Sequence, residues 1–291
     1  MKKLNFIIKY GLALLLLSFY SCESWLNVTP SDRLSEEMLF NDREGFVKAL
    51  NGVYIELNTN ELYGRNLTAG ALDVMGQYYS VASSSHAFYN YGGLVYTGND
   101  EKALFDNMWQ KCYAVIACCN TIIEKCDERQ DVLPGVYYGL YKGEALALRA
   151  MLHLDMLRLF GPVYDETSKT AECIPYVTNT DAQISPLLSA EVVLESVIGD
   201  LKTALNLLKE SDPVLMDGVR NEGNSIGDNA LNYRQFRLNY YAVKALLVRA
   251  YAWGHDKSNA LVTAEEILRE VQVEGAEIFP FVTHAAGTDV S

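Results

Sequence analysis

Apolar residues recur at spacings of three and four along three separate stretches of the chain. The first runs through Phe46, Val47, Leu50, Val53, Tyr54 and Leu57. The second runs through Trp109, Tyr113, Ile116 and Ile123, with Asn120 in register. The third runs through Leu194, Val197, Ile198, Leu201, Ala204, Leu205 and Leu208. That period places each set on one face of a helix, so three amphipathic helices with buried stripes are predicted. Asn41, with Glu44 three residues on, has the form of a capping box and predicts where the first begins. Ser189 predicts the cap of the third, and a further helix is predicted over residues 263–271. No comparable stretch alternates with period two, so the expected fold class is all-α.

Two more predicted helices match at an offset of 100 residues: Tyr141, Ala145, Leu146, Arg149 and Ala150 correspond to Tyr241, Ala245, Leu246, Arg249 and Ala250. Small alanines among large apolar residues allow helices to approach closely. The offset is close to three units of the tetratricopeptide repeat, a helix-turn-helix of about 34 residues. A tetratricopeptide-like helical-repeat scaffold with long loops is therefore expected. The alternative is a chance match, since Ala and Leu are common in helices.

The first residues follow another pattern. Lys2, Lys3 and Lys9 precede an uncharged apolar run from Tyr10 to Tyr20, then Ser21 and Cys22, the shape of a signal peptide. Eleven residues rising about 1.5 Å each fall short of a hydrocarbon layer of about 30 Å. The single cysteine, followed at once by Glu23 and Ser24, resembles the end of a bacterial lipoprotein signal, although Phe19 stands where that signal usually has Leu. Residues 1–21 are thus expected to be a signal peptide and Cys22 the lipidated residue. The domain expected is 22–291. An ordinary signal with a coincidental cysteine is the alternative.

Charge narrows the partners. The chain has 24 basic and 37 acidic side chains, a net charge of −13. Three lysines leave with residues 1–21, so the remainder carries about −16, a poor match to nucleic acid or to an anionic membrane surface. Membrane attachment is therefore expected through lipid alone. Five cysteines remain after Cys22, an odd number that cannot all pair within the chain. Cys112, Cys119 and Cys126 fall seven apart, on one helix face but about 10 Å from each other, too far for disulfides, and are expected in the core.

Four blocks carry a family resemblance. They are Cys22 with Trp25-Leu26-Asn27-Val28-Thr29-Pro30, Phe40 and Ala49 to Tyr54; Trp109 through Tyr113 to Asn120 with Ile122-Ile123; Gly143-Glu144-Ala145 through Leu148-Arg149-Ala150 to Arg158-Leu159-Phe160-Gly161-Pro162-Val163; and Glu191 to Leu208, with Asp200-Leu201, followed by Ala242 to Tyr251. In order and spacing the chain resembles the SusD/RagB family of outer-membrane nutrient-uptake lipoproteins of Bacteroidetes. Phe236-Arg237 stands where the family usually has Gly-Arg. Members are commonly near twice this length, so an N-terminal part of the family fold is expected. The resemblance implies a surface-exposed lipoprotein of the cell outer membrane that binds an oligosaccharide or other polymer-derived nutrient. It also implies a SusC-type TonB-dependent transporter as partner.

Motifs of catalysis are scarce. There is no H-E-x-x-H, G-x-S-x-G or phosphate-binding glycine loop, and His86, His153, His255 and His284 share no ligand-like spacing. Glu144 and Asp155 lie eleven residues apart on one predicted helix, about 16 Å along its axis, too far for a glycosidase acid pair. Asp155 reads instead as a partner of Arg158. No enzyme, cofactor or metal centre is expected. Asp212, Asp217, Asn221, Glu222, Asn224 and Asp228 are of a type that suits calcium, but they lack the EF-hand order, and a solvated insertion explains them equally well. The sequons at Asn27 and Asn66 read as chance.

The informative segment is Gly76 to Asp100, where six of 25 residues are aromatic and only Asp100 is charged. Gly92, Gly93, Gly98 and Ser83 to Ser85 mark it as loop. A tyrosine offers a flat apolar face and a hydroxyl, complementary to a sugar ring. The candidate ligand-binding residues are Asp73, Tyr78, Tyr79, Tyr89, Tyr91 and Tyr96, about half of the aromatics being expected to seal the loop instead. Two function classes lead, a nutrient-binding lipoprotein and a helical scaffold that binds only protein; a third, an all-helical glycan-cleaving enzyme, is weakest because no close acid pair is visible.

Overall fold

The computed structural model describes residues 36–181, 183–220, 229–273 and 276–279. The predicted signal peptide, Cys22, Trp25 to Pro30 and the sequon at Asn27 lie outside these. Residues 1–39 and 40–291 are two separate units. In the first, the described residues form one turn, α1 (Glu36–Leu39). The rest concerns the second.

The predicted stripes become helices. α2 (Arg43–Leu57) buries Phe46, Leu50, Val53 and Leu57. Its cap is Asp42 and not Asn41: the Gly45 N–H donates to Asp42 Oδ1 at 2.9 Å. Asn41, an equally capable cap, instead accepts from Arg129 through its own Oδ1 and carbonyl, and Glu44 pairs with Lys48 at 2.9 Å. After the short α3 (Ala71–Met75) and α4 (Tyr89–Gly92), α5 (Asn99–Glu128) sets Cys112, Cys119 and Cys126 in the core. Burial raises all three thiol pKa values, that of Cys126 to about 12, so they stay protonated and inert.

α6 (Tyr137–Phe160) is the central helix, with 16 of its 24 residues buried. A helix buried on nearly every face must be surrounded, and α6 packs on α2, on α5 and most extensively on α7 (Ala190–Ser211). Gly143 permits the last approach: a Cβ there would press on the Leu208 side chain and the Ala204 carbonyl. Ser189 caps α7 as predicted, accepting from the Val192 N–H. Just before α7, a short antiparallel pair joins β1 (Glu172–Ile174) to β2 (Leu188–Ser189). The chain continues through α8 (Val214–Asp217), α9 (Tyr240–Trp253), α10 (Lys257–Val271) and an antiparallel pair of β3 (Gln272–Val273) with β4 (Ala276–Glu277). α10 begins six residues before its predicted start. The Asn259 N–H donates to Asp256 Oδ1 at 3.0 Å there, a polar start that the apolar pattern does not register.

Successive long helices therefore pack as neighbours, α5 on α6, α6 on α7, α7 on α9 and α9 on α10, the stacking expected of a tetratricopeptide-like scaffold. The repeated residues mostly play matching parts. Ala150 and Ala250 are both fully buried, as are Leu146 and Leu246 nearly so. Arg149 reaches Asp200 on α7, and Arg249 reaches Asp155 on α6. Ala145 is buried whereas Ala245 is exposed, because α9 packs chiefly on α7 and α10 and keeps an open face among the described residues.

Two polar clusters fix the connections. Arg234, buried, donates to Glu144 Oε2 at 2.5 Å and to both Asp212 oxygens at 3.2 Å, while Arg237 joins Glu144 at 3.2 Å and reaches Asn51. Burial works to raise the Glu144 pKa, but Arg234 and Arg237 prevail and hold it below the ordinary carboxylate value. Two carboxylates against two guanidiniums leave the cluster neutral, the condition under which charges tolerate burial. Asp212 also accepts from the Val214 and Tyr240 N–H groups, so it ties the entries of α8 and α9 together. Asp212 is thus engaged and cannot serve the calcium site weighed above. Asp217 pairs with Arg220, and Asn221, Glu222, Asn224 and Asp228 lie outside the described residues.

In the second cluster Arg149 grips Asp200 with two bonds of 2.7 and 2.9 Å and Asn120 with a third of 2.9 Å. Asn120 donates to the Val177 and Asn179 carbonyls, and His153 Nε2 accepts from the Val177 N–H. The segment after β1 is thereby strapped across α5, α6 and α7. Among the described residues no His, Cys, Asp and Glu side chains gather as a metal site, and no helix is long and apolar enough to cross a membrane.

Candidate functional site

The tyrosine-rich segment folds against the end of α6. α3 is closed by backbone bonds from Gly76 to Leu72 and from Tyr78 to Asp73, after which the chain turns outward. Within the predicted loop α4 forms one short turn, and α5 begins at Asn99. Gly98, which precedes it, has a steric role: a Cβ there would collide with the Glu101 carboxylate, which folds back over the helix start. Glu101 Oε1 in turn accepts from Asn90 Nδ2 at 2.7 Å, which anchors α4 to α5.

This arrangement separates the six candidate residues. Asp73, Tyr78 and Tyr96 line a hollow of about 830 Å³ together with Phe105, Arg158 and Phe160. Tyr79 and Tyr89 line a smaller one of about 410 Å³. Tyr91 belongs to neither wall: it is only 2% exposed, with Phe88, Tyr96 and Phe105 rings around it at 5.8 to 6.4 Å. As a ligand contact Tyr91 is therefore corrected to a support beneath the loop. Tyr78 is the opposite case, 80% exposed.

The larger hollow combines apolar planes with two kinds of polar group. Tyr96 meets Phe105 edge-on at 5.5 Å, and Phe160 stands against Phe105 at 6.3 Å and Trp109 at 5.0 Å, so its floor is a packed aromatic set. The Asp73 carboxylate has no hydrogen bond or ion pair with any described residue. Arg158 donates through Nη1 to Asp155 Oδ1 at 3.1 Å and lies 5.7 Å from the Trp253 ring. Asp155 also accepts from Tyr63 Oη at 2.6 Å and from Arg249. The guanidinium is thus held in place with donors to spare, beside an acceptor with free lone pairs.

Arg158, Phe105 and Phe160 were not among the predicted site residues. Arg158 was read only as the partner of Asp155, which it is. Its second face, toward the hollow, depends on α6 ending beside α3, a tertiary fact that spacing does not encode. A signal existed in the Arg158-Leu159-Phe160-Gly161-Pro162 stretch, which ends α6 at the rim.

A family model described as "Starch-binding associating with outer membrane" for SusD-like proteins matches residues 24–215. The chain belongs to the SusD-like family. SusD-like protein P38 of Formosa agariphila is 27% identical over 202 residues, covering 63% of this chain and 34% of that protein. SusD-like protein P2 of the same organism is 25% identical, over 72% of this chain and 38% of its own length. The fold agrees. A SusD superfamily protein from Bacteroides vulgatus superposes with a TM-score of 0.63 at 18% identity, covering 84% of this chain and 50% of that one. A SusD-like carbohydrate binding protein from the same organism gives 0.61 at 21% identity, over 84% and 47%. The chain spans about a third of the length of these curated relatives and about half that of these solved structures. The SusD-like region holds both hollows and α6, and α9 and α10 lie beyond residue 215.

Proposed function

We propose that this SusD-like chain is a surface lipoprotein of the outer membrane, anchored through Cys22, that captures oligosaccharide for a SusC-type TonB-dependent transporter. The observation that carries the reading is the larger hollow, lined by Asp73, whose carboxylate has no partner among the described residues, by Arg158 and by exposed Tyr78 and Tyr96. Sugar hydroxyls can donate to the first and accept from the second, while the C–H face of the ring lies on an aromatic plane. The starch-binding description of the family and the carbohydrate-binding relative from Bacteroides vulgatus support the same class of ligand. The transporter and the lipid anchor rest on the family resemblance and on the shape of residues 1–22.

Binding without catalysis is supported by the carboxylates. Glu144 is closed in by Arg234 and Arg237, and Asp155 by Tyr63, Arg158 and Arg249, so neither stands ready as a general acid. The test is an oligosaccharide array probed with the purified chain, alone and with its transporter. Retention on a defined subset of glycans is expected. Retention on none, with stable capture of a protein partner, would establish a protein-binding scaffold instead.

A further inference from the structure

The smaller hollow is built from the other side of the same segment. Tyr78 faces the larger hollow and Tyr79 the smaller one, although their Cα atoms are only about 3.8 Å apart along the chain. Tyr79 and Tyr89 expose 53% and 42% of their surface there. Between the two hollows Gln77 adopts a left-handed backbone at φ 61°, a conformation that costs energy in any residue but glycine and persists only where surrounding structure enforces it. Gln77 is the residue after the C-cap of α3, where the Tyr78 N–H donates to the Asp73 carbonyl at 3.0 Å and the Gln77 N–H to the Val74 carbonyl at 3.1 Å, the left-handed closure of a helix end. Gln77 Nε2 adds bonds to the Gly92 carbonyl at 3.0 Å and the Val74 carbonyl at 3.3 Å. Both amide hydrogens are thus occupied within the protein, and Oε1 has no partner among the described residues.

Asn90 repeats the device. Its Nδ2 is fixed on Glu101 at 2.7 Å, and its Oδ1 has no partner among the described residues. The smaller hollow is therefore lined by two amide side chains whose nitrogens are held, each with an oxygen free to accept among the described residues, and by two tyrosines, with no charged side chain in its lining. Acceptors that are already oriented lose little entropy on binding. They match the hydroxyls of a neutral sugar, and nothing in the lining neutralises an anion.

We propose that the smaller hollow is a second subsite, which holds another unit of the same neutral oligosaccharide that occupies the larger hollow. The inference rests on the glycan reading above and adds a chain-length requirement to it. One bound chain crossing the Gln77–Tyr79 ridge converts the second contact into an intramolecular one, so affinity grows with chain length until both hollows are filled.

The experiment titrates the full chain with malto-, xylo- and manno-oligosaccharide ladders, each from disaccharide to heptasaccharide. Wild type is compared with Tyr78→Ala, Tyr79→Ala and Tyr89→Ala, all confirmed as folded by circular dichroism. Wild type is expected to bind the longer members of one ladder more tightly than the shorter. Tyr79→Ala and Tyr89→Ala should each weaken the longest members by about 2- to 12-fold and leave the disaccharide unchanged. Tyr78→Ala should weaken every member. If Tyr79→Ala and Tyr89→Ala bind all lengths as wild type does, or lose all lengths equally, the second subsite is overturned while the larger hollow stands. If wild type binds no ladder, the subsite for a neutral oligosaccharide is overturned, and the array decides the glycan reading separately.

Discussion

Tyr91 shows how a residue's place changes its meaning. In sequence it is one of six aromatics in a glycine-marked loop, but its ring is sealed among Phe88, Tyr96 and Phe105. Tyr91→Ala should therefore destabilise the fold by about 3–5 kcal/mol, the range for a large buried aromatic, and chemical denaturation would show it. A variant of wild-type stability would place Tyr91 at the surface. His153 is a second case. Its Nδ1 donates to the Arg149 carbonyl, its Nε2 accepts from the Val177 N–H, and Tyr176 stacks on it at 4.0 Å. Burial, reinforced by the Arg149 charge, lowers its pKa from 6.5 to about 4 despite the opposing pull of Asp200 and the Arg149 carbonyl. Below pH 6.5 the unfolded chain takes up a proton that the folded chain refuses, so stability is full above 6.5 and falls as pH drops toward 4. The loss is about 1.4 kcal/mol per pH unit in that window. Urea melts at pH 7 and pH 5 should show a shallower pH dependence in His153→Gln than in wild type. Equal slopes would mean that His153 is solvated.

At the scale of elements, α2, α5 and α7 were legible because each buries a stripe that the 3.6-residue period reveals, α6 and α9 because they match at an offset of 100 residues, and Ser189 because its cap chemistry is local. The matched alanines test the packing. Ala150→Leu or Ala250→Leu should overpack its helix contacts at a cost of about 1–3 kcal/mol, read as a lowered melting temperature. Unchanged melting would mean these alanines face solvent. What the sequence hid was non-local. Asp212 looked like a solvated carboxylate in a polar stretch, and only folding brings Arg234 and the α9 entry to it. Asp73 and Arg158 are 85 positions apart, and neither belongs to an apolar stripe. The division of the tyrosines between two hollows depends on the left-handed turn at Gln77, which no glycine announced.

For the whole molecule, the helical scaffold was readable from the apolar stripes and the 100-residue offset and the family from the four sequence blocks, while the ligand depends on side chains gathered from α3, the tyrosine segment, α5 and α6. Anchoring is a separate matter, decided outside the described residues. Cys22→Ser should move the protein from the membrane fraction to the soluble one in cells lacking the transporter, because stable attachment needs the lipid. Continued sedimentation with membranes would refute lipidation at Cys22. The central claim is that Asp73, Tyr78 and Arg158 line a glycan site. Its most direct test is calorimetric titration of wild type and Tyr78→Ala with the oligosaccharide best retained on the array. Tyr78 is exposed, so its removal should leave folding intact and weaken binding by about 2- to 12-fold. Equal affinities for the two proteins would contradict the assignment.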